Sequence, residues 1–285
     1  MRKKIKTFLK IGISFGLLLF VLSQIDINKL LATLQKSNPW WLLAAFVFFN
    51  LSKIISSVRL NYYFKDIGVY LKEKDALILY YVGMFYNLFL PGGIGGDGYK
   101  IYLLQKVHAP GVKELIQATL LDRLSGLAAL LFLAGTLFLF SSYAALYPPL
   151  AWLALAGAIL VYPIFLFLHK TIFKRFLTYI VQTTLLGLSV QILQLLCAFS
   201  LVYALGISQH LIDYLTLFLI SSVVAVLPLT IGGVGAREFT FLYGLKLLHQ
   251  DPSTGIAFSF LFFMITAISS AIGLFFVHNP LQLNE

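Results

Sequence analysis

The chain has 285 residues, of which 60% are apolar and 11% charged, and it carries a formal net charge of +10. Soluble domains run at roughly 45–50% apolar and about 25% charged residues, so a chain this apolar cannot cover its own surface in water, and a soluble fold is excluded. The single cysteine, Cys197, rules out an intramolecular disulfide and reads as a small buried hydrophobe.

At the N-terminus, Met1-Arg2-Lys3-Lys4-Ile5-Lys6 leads into an apolar run over about 5–24. The charged start mimics a secretory signal, but Leu22-Ser23-Gln24-Ile25 offers no small-x-small cleavage site. An uncleaved first span is therefore expected. A helix needs about 20 apolar residues to cross about 30 Å of hydrocarbon. Further stretches of that kind lie at about 39–58, 115–141, 148–168, 180–205 and 255–277. Two others, about 76–91 and 211–228, end at Pro91 and Pro228, and each runs into a glycine cluster that a helix does not continue comfortably. The expected fold is an all-α polytopic membrane protein with about six full transmembrane helices plus two re-entrant helical hairpins.

Basic residues choose between a hairpin and a crossing, because loops on the cytoplasmic side carry excess Lys and Arg. If 76–108 enters from the cytoplasm and returns, and 211–249 does so from the other face, the basic residues of 2–10, 59–74, 100–113 and 170–175 collect on one side. Lys29, Lys36, Arg237 and Lys246 are left on the other, while Lys53 and Arg123 fall within spans. A full crossing at 76–91 reverses the bias. Both termini are then cytoplasmic, and the expected location is a cell (inner) membrane.

The two broken segments resemble each other. Leu90-Pro91-Gly92-Gly93-Ile94-Gly95-Gly96-Asp97-Gly98-Tyr99-Lys100 aligns on its proline with Leu227-Pro228-Leu229-Thr230-Ile231-Gly232-Gly233-Val234-Gly235-Ala236-Arg237. The flanking spans correspond as well, giving repeat halves of about 1–142 and 143–285 within one integral membrane domain. Three crossings per half is odd, so the second half enters inverted. Paired helix breaks in an inverted repeat point to a transport site near the bilayer midplane. The glycine turns (Pro91, Gly95, Gly96, Gly98, Pro228, Gly232, Gly233 and Gly235) leave backbone N–H groups exposed beside a helix N-terminus, which suits an anionic group such as a lipid phosphate. The G-x-G-x-x-G pattern within the first turn has no βαβ unit around it and is not a dinucleotide fingerprint.

Charged residues at membrane depth cost about 2.5–3.5 kcal/mol each on insertion scales and call for a reason. Asp97 lies in the first glycine turn, where it either caps the return helix or meets substrate; Glu238, after the second, either favours its helix dipole or does the same. Asp122 and Arg123 are adjacent, hence about 100° apart on a helix, and should take separate partners. Lys53 is expected to snorkel towards the interface. Asn50 and Asn87 read as interhelical hydrogen bonds, with Asn87 also a candidate along a substrate path. The five histidines are scattered singly, so no metal or cofactor is expected.

Asn87-x-x-x-Pro91, Gly95-Gly96-Asp97-Gly98-x-Lys100, Asp122-Arg123-x-x-Gly126 and Pro228-x-x-x-Gly232-Gly233-x-Gly235-x-Arg237-Glu238 together resemble the lysylphosphatidylglycerol synthase transmembrane (flippase-like) family, over nearly the whole chain. In bifunctional members, the resemblance implies, this region moves aminoacylated phosphatidylglycerol to the outer leaflet while a separate cytosolic domain attaches the amino acid. With the chain ending at Glu285, a stand-alone unit without the aminoacyl-transferase domain is expected. The resemblance assigns Asp97, Arg123 and Glu238 to the lipid path, with Asp122, Arg237, Lys100 and Asn87 beside them and the glycine turns as its lining.

The expected function is a lipid translocase, a flippase or scramblase that carries an anionic or aminoacylated phospholipid or a related lipid between leaflets. No Gly-x-x-x-x-Gly-Lys loop is present, so an ATP-driven pump fits less well than a downhill or ion-coupled carrier. The alternatives are a membrane enzyme with Asp97 or Glu238 as base, for which no nucleophile–base pair is evident, and an accessory subunit in lipid or glycolipid modification. The expected partners are membrane lipids and a lipid-modifying enzyme or glycosyltransferase, with no nucleic acid.

Overall fold

The computed structural model describes residues 23, 27–89, 95–108, 111–226 and 234–277, which form helices and no strand. Nearly all of the expected span at 5–24, together with Pro91, Pro228, Gly232 and Gly233, lies outside the described residues.

The first described helix, α1 (Ile27–Gln35), is one that hydropathy alone does not announce. Its nine residues rise about 14 Å, too little to cross a bilayer. Ile27 and Leu31 face outward while Leu30 packs on Leu242 and Ile256, the one-sided pattern of a helix lying along an interface. Asn38 then stops the chain and starts the next helix: its Oδ1 accepts from Trp40 N at 3.0 Å, and Pro39 supplies a helical φ without needing a donor.

Helix α2 (Pro39–Asp66) runs eight residues past the expected end at 58, about 12 Å further. The extension follows a polar stripe, Ser52, Ser56, Arg59 and Tyr63, all at most 4% exposed. Spacings of four, three and four keep these residues on one helical face, and that face is buried in protein, so the polar residues do not end the helix.

Helices α3 (Glu73–Phe89) and α4 (Gly95–His108) fold back on each other. Asn87 meets Gly96 near the turn and Tyr80 meets Lys100 further along, so the pair is antiparallel, and Tyr86 and Tyr99 lie 4.5 Å apart between ring centroids. The arms nearly touch: a methyl added at Gly96 would fall 1.8 Å from Gly83 O. Helix α5 (Val112–Leu139) and the short α6 (Ser142–Leu146) lead into α7 (Pro148–Ile172). Small residues again allow close approach, with Gly135 backed by Ala154 and Ala158.

After a 3₁₀ turn at Lys174–Phe176, α8 (Ile180–Ala204) packs antiparallel on α2. Trp41 stacks on Tyr203 at one end and Tyr62 lies against Tyr179 at the other. A second antiparallel hairpin follows, α9 (Leu211–Val226) and α10 (Ala236–Leu247), with Leu217 against Gly244 and Ser222 against Arg237. Helix α11 (Pro252–Ala271), extended by a 3₁₀ segment to Phe276, closes the bundle. Helix α9 packs on α5, and α3 packs on α11, so each hairpin leans on the long helix of the other half of the chain.

Five of these segments (Pro39–Asp66, Val112–Leu139, Pro148–Ile172, Ile180–Ala204 and Pro252–Phe276) are long and apolar enough to cross a membrane. The outer face of α7 displays Trp152, Leu153, Ile159 and Phe167, each more than 60% exposed. A surface of that kind is stable only in lipid. The protein is an all-α polytopic membrane protein.

Candidate functional site

The charges that sequence placed at membrane depth fall into three groups. In the first, Asp97 sits in the opening turn of α4 and is buried. Lys100 Nζ, one turn on, donates to its Oδ1 at 3.0 Å, and Arg123 Nε of α5 donates to Oδ2. Asp97 is therefore not the cap of α4. That role belongs to Asn87 on the facing arm, whose Oδ1 accepts from Gly96 N at 2.9 Å. Gly95, Gly96 and Gly98 are helical residues of α4, a correction to the expected open turn; Gly96 is there because Gly83 leaves no room for a Cβ. Arg123 keeps 44% of its side chain exposed while Asp97 keeps 13%, so the cluster has one accessible cation over a covered carboxylate.

In the second group, Asp122 turns to the opposite side of α5 and accepts from Arg59 Nε at 2.8 Å. The two adjacent charges, Asp122 and Arg123, thus have separate partners. The guanidinium of Arg59 lies between Gly126 and Gly187, where an added methyl would stand 3.5 and 3.3 Å from its nitrogens. Gln191 Nε2 closes the packing on Gly126 O at 3.1 Å. Arg59 and Lys100, which the charge count puts with the cytoplasmic basic residues, are both buried in protein. The Ser52–Ser56–Arg59–Tyr63 stripe was the signal for Arg59, since a loop residue has no reason to continue a helical polar face.

The third group lies at the second hairpin. Gly235 has φ +84°, a conformation glycine takes freely, and its N–H donates to Glu238 Oε2 at 2.7 Å. The other oxygen of Glu238 accepts from Ser259 Oγ of α11 at 2.8 Å. Glu238 thus caps α10 and ties it to α11. Its neighbour Arg237 donates to Ser222 Oγ at 3.0 Å and lies over the Phe262 ring at 4.8 Å. The structure therefore brings together Asp97, Lys100, Arg123 and Asn87, pairs Asp122 with Arg59, and leaves Arg237 and Glu238 on a separate arm.

A match to the profile described as "Lysylphosphatidylglycerol synthase TM region" extends over residues 7–273. The chain belongs to this family. The lysylphosphatidylglycerol synthase membrane region therefore takes in both hairpins, four described spans whole and the fifth as far as residue 273. Among curated proteins, a UPF0104 membrane protein of Methanocaldococcus jannaschii is 28% identical over 104 residues, which is 36% of this chain and 31% of that protein. No solved structure matches.

Lys53 also departs from expectation. Because α2 extends to Asp66, Lys53 stands at its middle and not near its end. Its ammonium instead lies 4.4 Å from the ring centroid of Phe49, a residue 1% exposed. Asn50, beside it, joins three helices: Tyr81 OH donates to Oδ1 at 2.8 Å and Nδ2 donates to Ser269 Oγ at 3.0 Å.

Proposed function

We propose that the protein is a lipid translocase that passes an anionic or aminoacylated phospholipid, or a related lipid, between leaflets along the seam between its two hairpins. The observation that carries this reading is the Asp97–Lys100–Arg123 cluster, an ion network between a hairpin arm and a long span with Arg123 partly accessible. Charges in a membrane helix mark a path for polar cargo when they face a cavity or one another. A half-accessible arginine over a buried carboxylate can exchange its partner for a headgroup phosphate at little electrostatic cost.

The hairpin arms support the same reading. The 17 and 14 residues of α3 and α4 rise about 26 and 21 Å, and the 16 and 12 residues of α9 and α10 about 24 and 18 Å. All fall short of the roughly 30 Å of hydrocarbon, in keeping with hairpins that turn back inside the membrane. The reciprocal packing of α9 on α5 and α3 on α11, with α2 antiparallel to α8, supports an inverted repeat of halves 1–142 and 143–285. Both termini then lie in the cytoplasm of a cell whose inner membrane holds the protein, and an enzyme that makes or modifies the lipid is the natural partner.

The test is translocation in proteoliposomes, with headgroup-labelled phosphatidylglycerol and lysyl-phosphatidylglycerol. Wild type should accelerate flipping, and the Asp97→Asn/Arg123→Gln protein should not. Flipping that is equal in both removes these residues from the path, and no flipping of either lipid by wild type removes the translocase reading for those cargoes.

A further inference from the structure

Among the described residues, two half-buried cations, Lys53 and Arg237, have no carboxylate in ion-pair contact. The proline alignment makes Lys100 and Arg237 equivalent, and Asp97 equivalent to Val234. Lys100 is neutralised by Asp97; Arg237 has no such neighbour, and the carboxylate beside it, Glu238, has both oxygens engaged by Gly235 N and Ser259. Among the described residues no carboxylate lies within 4.0 Å of Arg237 or of Lys53. The two are joined by aromatic rings. Lys53 Nζ is 4.4 Å from the Phe49 centroid, Phe49 meets Phe262 at 5.7 Å, and the Arg237 guanidinium is 4.8 Å from the Phe262 centroid.

We propose that Lys53 and Arg237 form a clamp for one phosphate group, seated over the Phe49–Phe262 pair between α2 and the second hairpin. The inference rests on the translocase reading, for which it names the chemical group held on the second-hairpin side. A planar guanidinium offers two donors to phosphate oxygens, and an ammonium adds a point charge that adapts to position. Ser222 supplies a further donor: its Oγ accepts from Arg237 and gives no hydrogen bond among the described residues. Both cations are half-buried rather than sealed, so a ligand can reach them. Rings beneath the cations hold them in place, and the hydrogen bonds that Arg237 gives among the described residues, to Ser221 and Ser222, use Nη1 alone. Uncompensated positive charge at the middle of a spanning helix is costly without an anion, and a phosphate supplies it.

Equilibrium binding to the full chain in detergent tests the clamp, with dihexanoyl phosphatidic acid as the lipid-borne phosphate and inorganic phosphate as its competitor. Lys53→Met and Arg237→Gln should each weaken phosphatidate binding by about tenfold or more, the size expected for losing one charge-assisted hydrogen bond, and Lys53→Arg should restore most of it. Competition by inorganic phosphate assigns the clamp to the phosphate group alone, and its absence assigns it to phosphate carried by lipid. Affinity unchanged in both single variants overturns the proposal. A second measurement needs no variant: saturating phosphatidate should protect Lys53, and not the exposed Lys170, from amine acylation read by mass spectrometry. Equal labelling of Lys53 with and without the lipid also overturns it. Neither readout requires transport, so binding in a protein that moves no lipid defeats the translocase reading alone. Transport in a protein without the clamp defeats only the clamp.

Discussion

Removing Asp122 should damage the fold far more than removing any charge on the rim. Arg59 and Asp122 meet at 2.8 Å with side chains 5% and 12% exposed. At an effective dielectric constant near 20, that separation corresponds to about 6 kcal/mol of gross attraction, most of which offsets the hydration both groups lost on burial. The pair is therefore nearly neutral as a pair, but its members are not neutral alone. Asp122→Ala leaves a guanidinium, whose Nη1 already has no hydrogen-bond partner, buried between Gly126 and Gly187. The expected cost is about 3–5 kcal/mol. Replacing both residues, as Arg59→Met/Asp122→Leu, should recover most of that loss because no buried charge remains. The exposed pair Lys65–Glu73, with the carboxylate side chain 55% exposed, sets the scale: Glu73→Gln should cost about 0–1 kcal/mol. Reversible unfolding in mixed micelles measures all of these, and a double-mutant cycle isolates the coupling. A single Asp122→Ala variant within about 1 kcal/mol of wild type would refute the reasoning. So would a double variant as unstable as the single.

The two glycines flanking Asp97 should respond oppositely to alanine. Gly96→Ala drives a methyl into Gly83 O at 1.8 Å and should cost about 1–3 kcal/mol through overpacking, whereas Gly98→Ala, with nothing within 4 Å, should be neutral or stabilise α4 by up to about 1 kcal/mol; thermal denaturation in detergent reads both. For topology, Gly111→Cys in a Cys197→Ser background places a thiol on the exposed connection before α5. An impermeant maleimide should label it only after cells are permeabilised, and ready labelling of intact cells reverses the proposed orientation.

Local chemistry determined much of this protein before any contact was known. Composition placed it in lipid, and apolar run lengths located the described spans to within a few residues at most ends. Proline and glycine marked both hairpins, because a helix lacks a donor at one and loses backbone entropy at the other. The 100° step per residue was enough to send Asp122 and Arg123 to different partners. Each of these follows from the chain's immediate neighbourhood, and so each could be read from it.

Which side chain meets which was decided by the tertiary structure. Arg59 finds Asp122 63 residues away, and Glu238 finds Ser259 on the next helix. Whether Arg59 ends a span or continues inside one depends on what packs against its face, and only the arrival of α5 and α8, with Gly126 and Gly187 making room, answers that. The same extension of α2 puts Lys53 at the middle of its helix instead of near its end. Helical periodicity sets the direction of a side chain from its own backbone. The depth at which it lies and the charge it faces depend on where other helices come to rest, and no local pattern encodes that.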